Sequence, residues 1–326
     1  MANIFFLFLG RTDMKKILRL GSRSSPLALI QAQTVRDTLF ARHQGLADTH
    51  EIEIIPIRTT GDWRPEQQER TFLEMGGNKG LFTKEIEEAL IEGFVDFAVH
   101  SMKDVATQPP DSLDFTAVLE RGDPHDAFLS ASGKTLDELP SGARIGTSSL
   151  RRQSQIIARR PDVKVVPLRG NVDTRLRKLL DGEADATVLA LAGLQRLGMT
   201  ARVTSIMDFQ MMLPSVAQGA IGLEIRKGDD AIRQLLSSLN CPQTMTCVSA
   251  ERAMLKVLDG SCRTPIAGLA QIIAGDKLVL EGLVAKPNGS YLIRMKKEGV
   301  ITTALEIGTQ LGEEIKSKMP NNFFAA

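Results

Sequence analysis

The sequence predicts an α/β protein made of two similar lobes, followed by a smaller α+β domain. Three observations carry this expectation. A strand, a polar turn and a helix follow one another at Arg19-Leu20-Gly21-Ser22, and the same sense returns at Arg144-Ile145-Gly146-Thr147. The run from Leu90 to Val99 (LIEGFVDFAV) aligns without a gap on the run from Leu179 to Val188 (LLDGEADATV), each reading as a helix that stops at Gly before a buried strand. From about Pro242 the texture changes to short apolar runs around Pro287-Asn288-Gly289-Ser290, and Asn-Gly between strands signals a hairpin.

Taken in order, Ile17 to Leu20 is an apolar run that ends in Gly21-Ser22-Arg23-Ser24-Ser25-Pro26. Leu27, Ala28, Ile30, Val35 and Leu39 then share one helical face, with Pro26 at the helix start. Glu51 to Ile57 reads as a strand. The stretch from Thr59 to Gly80 is long for a compact domain, which predicts a mobile functional loop. A helix carrying Phe82, Ile86 and Leu90 follows and closes at Gly93, and Phe94 to His100 is the next strand, running into Ser101-Met102-Lys103-Asp104. The third domain reads as a helix from Val248 to Leu258 flanked by Cys241 and Cys247, strands at Ile266 to Ala274, Lys277 to Val284 and Tyr291 to Met295, and a last helix near Thr303 to Lys318.

The length of 326 residues suits roughly two to three domains of about 100 to 200 residues. The expected division is an extension over 1–15, a first domain over 16–119 and 220–238, a second over 120–219 and a third over 239–326. The six apolar residues from Ile4 to Leu9 are too few to span a bilayer and follow no positive charge, so they read as a disordered extension, with Met1 and Met14 both open as the start.

Forty basic residues against 39 acidic give a net charge of +1, which points to no polyanion and no membrane surface. The balance conceals one local excess. Between Arg144 and Lys178 lie ten basic residues and two acidic ones, an excess of +8. Arg151 and Arg152 open a helix after Thr147-Ser148-Ser149, and Arg169 and Arg175 flank the next strand-to-helix turn. Hydroxyls, free backbone N–H groups and guanidinium forks at converging turns suit a ligand with several carboxylates. Arg159, Arg160, Arg177 and Lys178 fit a solvated helix face better.

Asp104 stands where a buried strand leaves the sheet, the place where open α/β folds put ligands. It reads equally as a helix cap, a surface carboxylate or a group that shuttles a proton and stabilises a developing cation. Cys262 lies on a Gly-Ser turn beside Arg263, where a thiolate is favoured, and an incidental surface thiol is the other reading. Three cysteines are too few for a disulfide framework and lack zinc spacing, which fits a reducing cytoplasm; the four histidines show no ligand spacing, so no metal is expected.

The chain resembles the hydroxymethylbilane synthases, also called porphobilinogen deaminases, from about Ile17 to the C-terminal helix. The carriers are GSRSSPLA (21–28), KGLFTKE (79–85), AVHSMKDV (98–105), GTSSLRR (146–152), LRGNV (168–172), AGLQRLG (192–198) and GSCRTPI (260–266), seven blocks in the family's order. The resemblance implies two lobes like those of type II periplasmic binding proteins, a third domain, and head-to-tail condensation of four porphobilinogen molecules with loss of ammonia. It implies a dipyrromethane cofactor joined by a thioether to Cys262, and Asp104 as the catalytic carboxylate that assists loss of ammonia and stabilises the azafulvenium cation. Arg23, Ser25, Lys103, Thr147, Ser149, Arg151, Arg152, Arg169, Arg175 and Arg196 map to positions that hold cofactor or substrate, and Lys79 to a loop position. Asn78 interrupts the family's Gly-Gly-Lys, Ala106 stands where Pro is usual and Ala217 where Gly is usual. A binding receptor with the same two lobes is the rival class, which the third domain with Cys262 and the missing signal peptide disfavour. A nucleic-acid binder is disfavoured by the neutral total and the single Trp and Tyr. A cytoplasmic monomer acting on porphobilinogen is expected, with no nucleic acid or membrane partner.

Overall fold

The computed structural model describes residues 15–61, 80–258, 264–320 and 323. Most of the expected N-terminal extension, Lys79 and Asn78 in the long loop, and Cys262 lie outside the described residues.

The first lobe opens with β1 (Lys16–Arg23), α1 (Pro26–Arg42), α2 (Leu46–Thr49), β2 (His50–Ile57), α3 (Lys84–Ile91), β3 (Phe97–Ser101), a 3-10 turn at Met102–Asp104, and β4 (Leu113–Val118). The second holds β5 (Asp126–Ser130), β6 (Arg144–Gly146), α4 (Leu150–Arg159), β7 (Lys164–Val166), α5 (Val172–Leu180), β8 (Ala186–Ala190), α6 (Leu191–Arg196) and β9 (Ser205–Met207). The chain then returns with β10 (Ile221–Arg226) and α7 (Asp230–Ser237). It ends in α8 (Pro242–Val257), β11 (Ile266–Ile273), β12 (Lys277–Ala285), β13 (Leu292–Val300) and α9 (Ala304–Lys318).

The two five-stranded sheets have one plan. Their orders are β2-β1-β3-β10-β4 and β7-β6-β8-β5-β9, with the first three strands parallel and the fourth antiparallel to both neighbours. In each sheet the fourth strand adjoins a crossing between lobes, β5 after the outward passage and β10 after the return. This is the arrangement of type II periplasmic-binding-protein lobes that the resemblance implies. Parallel strands leave their C-terminal ends, and the helix starts that follow, on one edge of each sheet, and those edges face a common cleft.

The sequence echo is a structural duplication down to side chains. Gly93 and Gly182 both take positive φ, 76° and 74°, where the helices stop. Asp96 accepts from the Arg19 backbone N–H at 2.7 Å and from its guanidinium at 3.1 Å, and Asp185 does the same to Arg144 at 2.7 and 2.9 Å.

Three local expectations are corrected. Phe82 precedes the helix rather than lying on its face, because the chain turns at Gly80–Thr83 before α3 begins at Lys84. The next strand starts at Phe97: after Gly93 the N–H groups of Phe94 and Val95 both return to the Ala89 carbonyl, which holds Phe94 out of the sheet and 64% exposed. The helix α8 begins at Pro242, six residues before Val248, since a first helical residue needs no N–H donor. Cys247 therefore lies inside it, buried, and Cys241 is its N-cap.

The third domain packs α8 and α9 on the antiparallel sheet β11-β12-β13. Its core is continuous with Met102, Val105 and Val118 of the first lobe and with Val216, Ala217 and Ala220 of the return crossing. The base of the cleft and the third domain thus share one apolar interior.

Candidate functional site

A cleft of about 640 Å³ separates the lobes. On the first lobe, β1 ends at Arg23 and α1 starts at Pro26, with Ser25 as N-cap accepting from the Ala28 N–H. The Arg23 guanidinium lies 4.4 Å over the Phe82 ring and 3.8 Å from an Asp104 carboxylate oxygen. Asp104 arrives through the end of β3. Met102 donates its N–H to the Ala220 carbonyl at 3.0 Å, and its buried side chain fills the space over Gly222, where a Cβ would overlap the sulfur. That anchor turns Lys103 and Asp104 outward into the cleft. The same strand end is backed by a buried His100, whose Nε2 stands 3.0 Å from Glu224 on β10.

Burial pushes the Lys103 amine down to about 8, with Asp104 opposing that shift and Arg152 adding to it. Part of the Lys103 population is therefore uncharged slightly above neutral pH.

On the second lobe, Ser149 caps α4 by accepting from the Arg152 N–H, and its own N–H donates to Thr147 Oγ1 at 3.2 Å. The Ser148 hydroxyl accepts from the Leu168 N–H at 3.2 Å, which fixes the spacing of the two arginine-bearing turns. Arg151 and Arg152 are each only 5% exposed and Arg169 is 7% exposed, yet all three line the cleft. Arg175 reaches back to the Gly170 carbonyl at 2.9 Å, and burial lowers it to about 10, with Arg152 and Arg169 adding to the shift. Together these guanidinium groups concentrate positive charge along one wall of the cleft, which favours anionic ligands.

Of the residues the sequence singled out, Arg23, Ser25, Lys103, Asp104, Ser149, Arg151, Arg152, Arg169 and Arg175 line one cavity. Thr147 is buried behind the turn it holds. Arg196 is not among the lining residues, and its guanidinium donates to the Gly219 carbonyl at 2.7 Å beside the interlobe crossing. Lys79 and Cys262 lie outside the described residues, but Thr264 and Ile266, which follow 259–263, line the same cleft. The basic stretch divides as its positions imply, with two exceptions, Arg177 and Lys178, the latter buried on α5 with its amine 3.6 Å from Glu183. Arg159 and Arg160 pair with Asp137 and Asp162 at 2.6 and 2.7 Å on the outer face, whereas Arg177 joins the cleft lining.

Asp126, the first residue of β5, escaped the sequence reading. It is fully buried, with one oxygen 2.8 Å from Arg151 and the other 2.7 Å from Arg152. Burial alone would raise its carboxyl, but the two guanidinium groups outweigh that and hold it well below the usual range. The available signal was a carboxylate heading the apolar run Ala127-Phe128-Leu129, since a charge at the start of a buried strand needs a buried partner.

Among the described residues no group of three or more His, Cys, Asp or Glu could hold a metal, and no helix is long and apolar enough to cross a membrane.

Residues 18–234 match the family model described as "Porphobilinogen deaminase, dipyromethane cofactor binding domain", and residues 245–317 match "Porphobilinogen deaminase, C-terminal domain". A chloroplastic porphobilinogen deaminase of Pisum sativum is 49% identical over 311 residues, 94% of this chain and 83% of that protein. A porphobilinogen deaminase of Nitrobacter winogradskyi is 47% identical over 305 residues, 94% of each chain. Among solved structures, the periplasmic VFT2 domain of Bordetella pertussis BvgS is 17% identical, with a TM-score of 0.40 over 68% of this chain and 86% of that one.

Proposed function

The chain belongs to the porphobilinogen deaminase family, and we propose that its interlobe cleft divides the family's reaction among the residues described above. The chain is a transferase that condenses four porphobilinogen molecules head to tail, releases ammonia and gives hydroxymethylbilane in tetrapyrrole biosynthesis, with a dipyrromethane cofactor. The observation that carries the assignment is the convergence on one cavity of Asp104, the one carboxylate among its described lining residues, and a wall of buried arginines.

The cleft fits such a group. Porphobilinogen bears an acetate and a propionate, so a dipyrromethane presents four carboxylates and each added ring two more. Arg151, Arg152, Arg169 and Arg175, with the capped start of α4, supply bidentate and backbone donors for them; Arg23, Lys103 and Ser25 do so from the opposite lobe. When bound, the cofactor supplies the pyrrole carbon on which the chain grows. Cys262 is its attachment point through a thioether, and the cleft-lining Thr264 and Ile266 support this because they are two and four residues away.

Asp104 acts on the incoming porphobilinogen. Its carboxylate faces the aminomethyl group, assists departure of nitrogen as ammonia and holds the positive charge that develops on the substrate pyrrole. After the carbon-carbon bond forms, the same carboxylate takes the proton from the joined pyrrole carbon. Arg23, anchored on Phe82, stands 3.8 Å from the Asp104 carboxylate and limits its orientations. Arg196 and Thr147 position the crossing and the α4 turn, and Lys79 acts from the loop that precedes Gly80. The domain division at 119/120, 219/220 and 238/239, a monomeric state and a cytoplasmic location complete the reading; the Pisum relative is named chloroplastic.

Intact-protein mass tests it. The purified chain is expected to exceed its sequence mass by one dipyrromethane, and Cys262→Ser to lose the excess. An active chain without added mass, or a Cys262→Ser variant that keeps it, overturns the assignment.

A further inference from the structure

We propose that Asp126 is a positioning residue for the anion site: its two carboxylate oxygens fix the Arg151 and Arg152 forks so that their remaining N–H groups point into the cleft. The inference rests on the reading of these arginines as holders of carboxylates. Two guanidinium groups on consecutive residues repel one another and, unrestrained, turn apart. Here each is held at a separate oxygen of one buried carboxylate, at 2.8 and 2.7 Å. Each also has a fixed backbone side: Arg151 donates to the Leu213 carbonyl at 2.9 Å, and Arg152 follows the α4 N-cap.

Asp126 is itself clamped. Gln218, on the return crossing and fully buried, donates its amide to Asp126 Oδ1 at 3.0 Å and to the Pro124 carbonyl at 2.8 Å. The orientation of the arginine pair is thereby tied to both crossings between the lobes. Asp126 shares no surface with the cleft, so it touches neither cofactor nor substrate and acts through the arginines.

Two effects of this carboxylate have opposite signs, which makes the inference testable. As a bare negative charge it would weaken binding of carboxylates, and its removal would tighten it. As an orienting group it strengthens binding, and its removal loosens it. Asp126→Asn keeps the size and removes the charge. The expected result is a folded protein whose KM for porphobilinogen rises about tenfold, equivalent to about 1.4 kcal/mol, with kcat changed far less. Intact mass should also show a fraction of the purified chains without dipyrromethane, a readout independent of turnover. A KM that falls or stays the same in the folded variant, with full loading, overturns the proposal.

Two further variants close the test. Gln218→Met removes, at the cleft wall, the amide that bridges Oδ1 and the Pro124 carbonyl, and KM should rise about threefold in the same direction, a fraction of the tenfold effect. An unchanged KM there, if the Asn variant does not fold, also overturns it. Arg152→Gln is the control on the underlying reading: if it leaves loading and KM unaltered, the arginines do not hold carboxylates, whatever Asp126 does.

Discussion

Arg121 and Glu251 meet in a two-pronged ion pair, Nη1 to Oε1 at 2.6 Å and Nη2 to Oε2 at 3.2 Å, where the outward crossing between the lobes passes the third domain. Glu251 is fully buried on α8 and also accepts from the N–H of Ala217 on the return crossing at 2.5 Å and of Ala270 on β11 at 2.8 Å. One carboxylate therefore joins both crossings to the domain that carries Cys262.

Glu251→Gln is expected to destabilise the fold by about 3 kcal/mol, within the range for breaking one partner of a buried pair. It leaves the Arg121 charge without its partner and puts an NH₂ group where one of the two backbone donors points. Thermal unfolding followed by circular dichroism measures the effect. A melting temperature within a degree of the parent would mean that the crossings are held by apolar packing alone.

Ala217 sits beside that carboxylate with φ of 59°, and among the described non-glycine residues it is the one with positive φ. A Cβ in the left-handed region costs about 1 to 2 kcal/mol, partly offset by the flexibility that Gly adds to the unfolded chain. Ala217→Gly is expected to stabilise the protein by about 0.5 to 1 kcal/mol. A lower melting temperature would show that the Ala217 methyl group, buried in the third-domain core, contributes more packing than its backbone loses.

The duplicated lobes were legible because two short signals agree: the strand-turn-helix at Gly21 and Gly146, and the Gly-x-x-Asp echo that places Asp96 and Asp185 on the same backbone groups. The anion wall was legible from Arg151, Arg152, Arg169 and Arg175 because turn positions in an α/β fold face the cleft. Asp126 was not, since its meaning lies in contacts with residues 25 positions or more away, and no local period marks them. Phe94 and the start of α8 misled for a simpler reason. An apolar residue after Gly and a Pro before a helix each fit two conformations, and the Ala89 carbonyl and the burial of Thr244 and Cys247 decide between them.

Lys103 predicts a pH limit. Its amine is pushed down to about 8, so the cation that faces incoming carboxylates is present below that pH and lost above it. The ratio kcat/KM, which reports the free enzyme, should fall as pH rises through about 8, chiefly through KM. Lys103→Arg should carry that limb to higher pH. The stability sign is the reverse of the binding sign. With the folded value below the ordinary lysine value of 10.5, burial of the charged amine opposes folding at pH 7, and the penalty is relieved between about 8 and 10.5. An alkaline limb that persists unmoved in the Arg variant would assign it to another group.

Asp104→Ala separates chemistry from architecture. The carboxylate is 28% exposed and its pairing with Arg23 spans 3.8 Å, so losing it should cost no more than about 1 kcal/mol of stability, the usual worth of a partly solvated ion pair. Arg23 keeps its place over Phe82, and the arginine wall across the cleft is untouched, so binding of porphobilinogen carboxylates should persist and KM change little. What disappears is the group that assists departure of ammonia, holds the developing positive charge and removes the proton after each bond forms. Loss of a positioned acid-base group lowers turnover by about 10² to 10⁴-fold. The expected variant is therefore folded and binds substrate, but is stalled in elongation, with intact mass showing no chain beyond the first additions. Near-normal turnover would remove Asp104 from the reaction. A large rise in KM with kcat preserved would instead make it a binding group, leaving the proton transfers to be sought at Lys103.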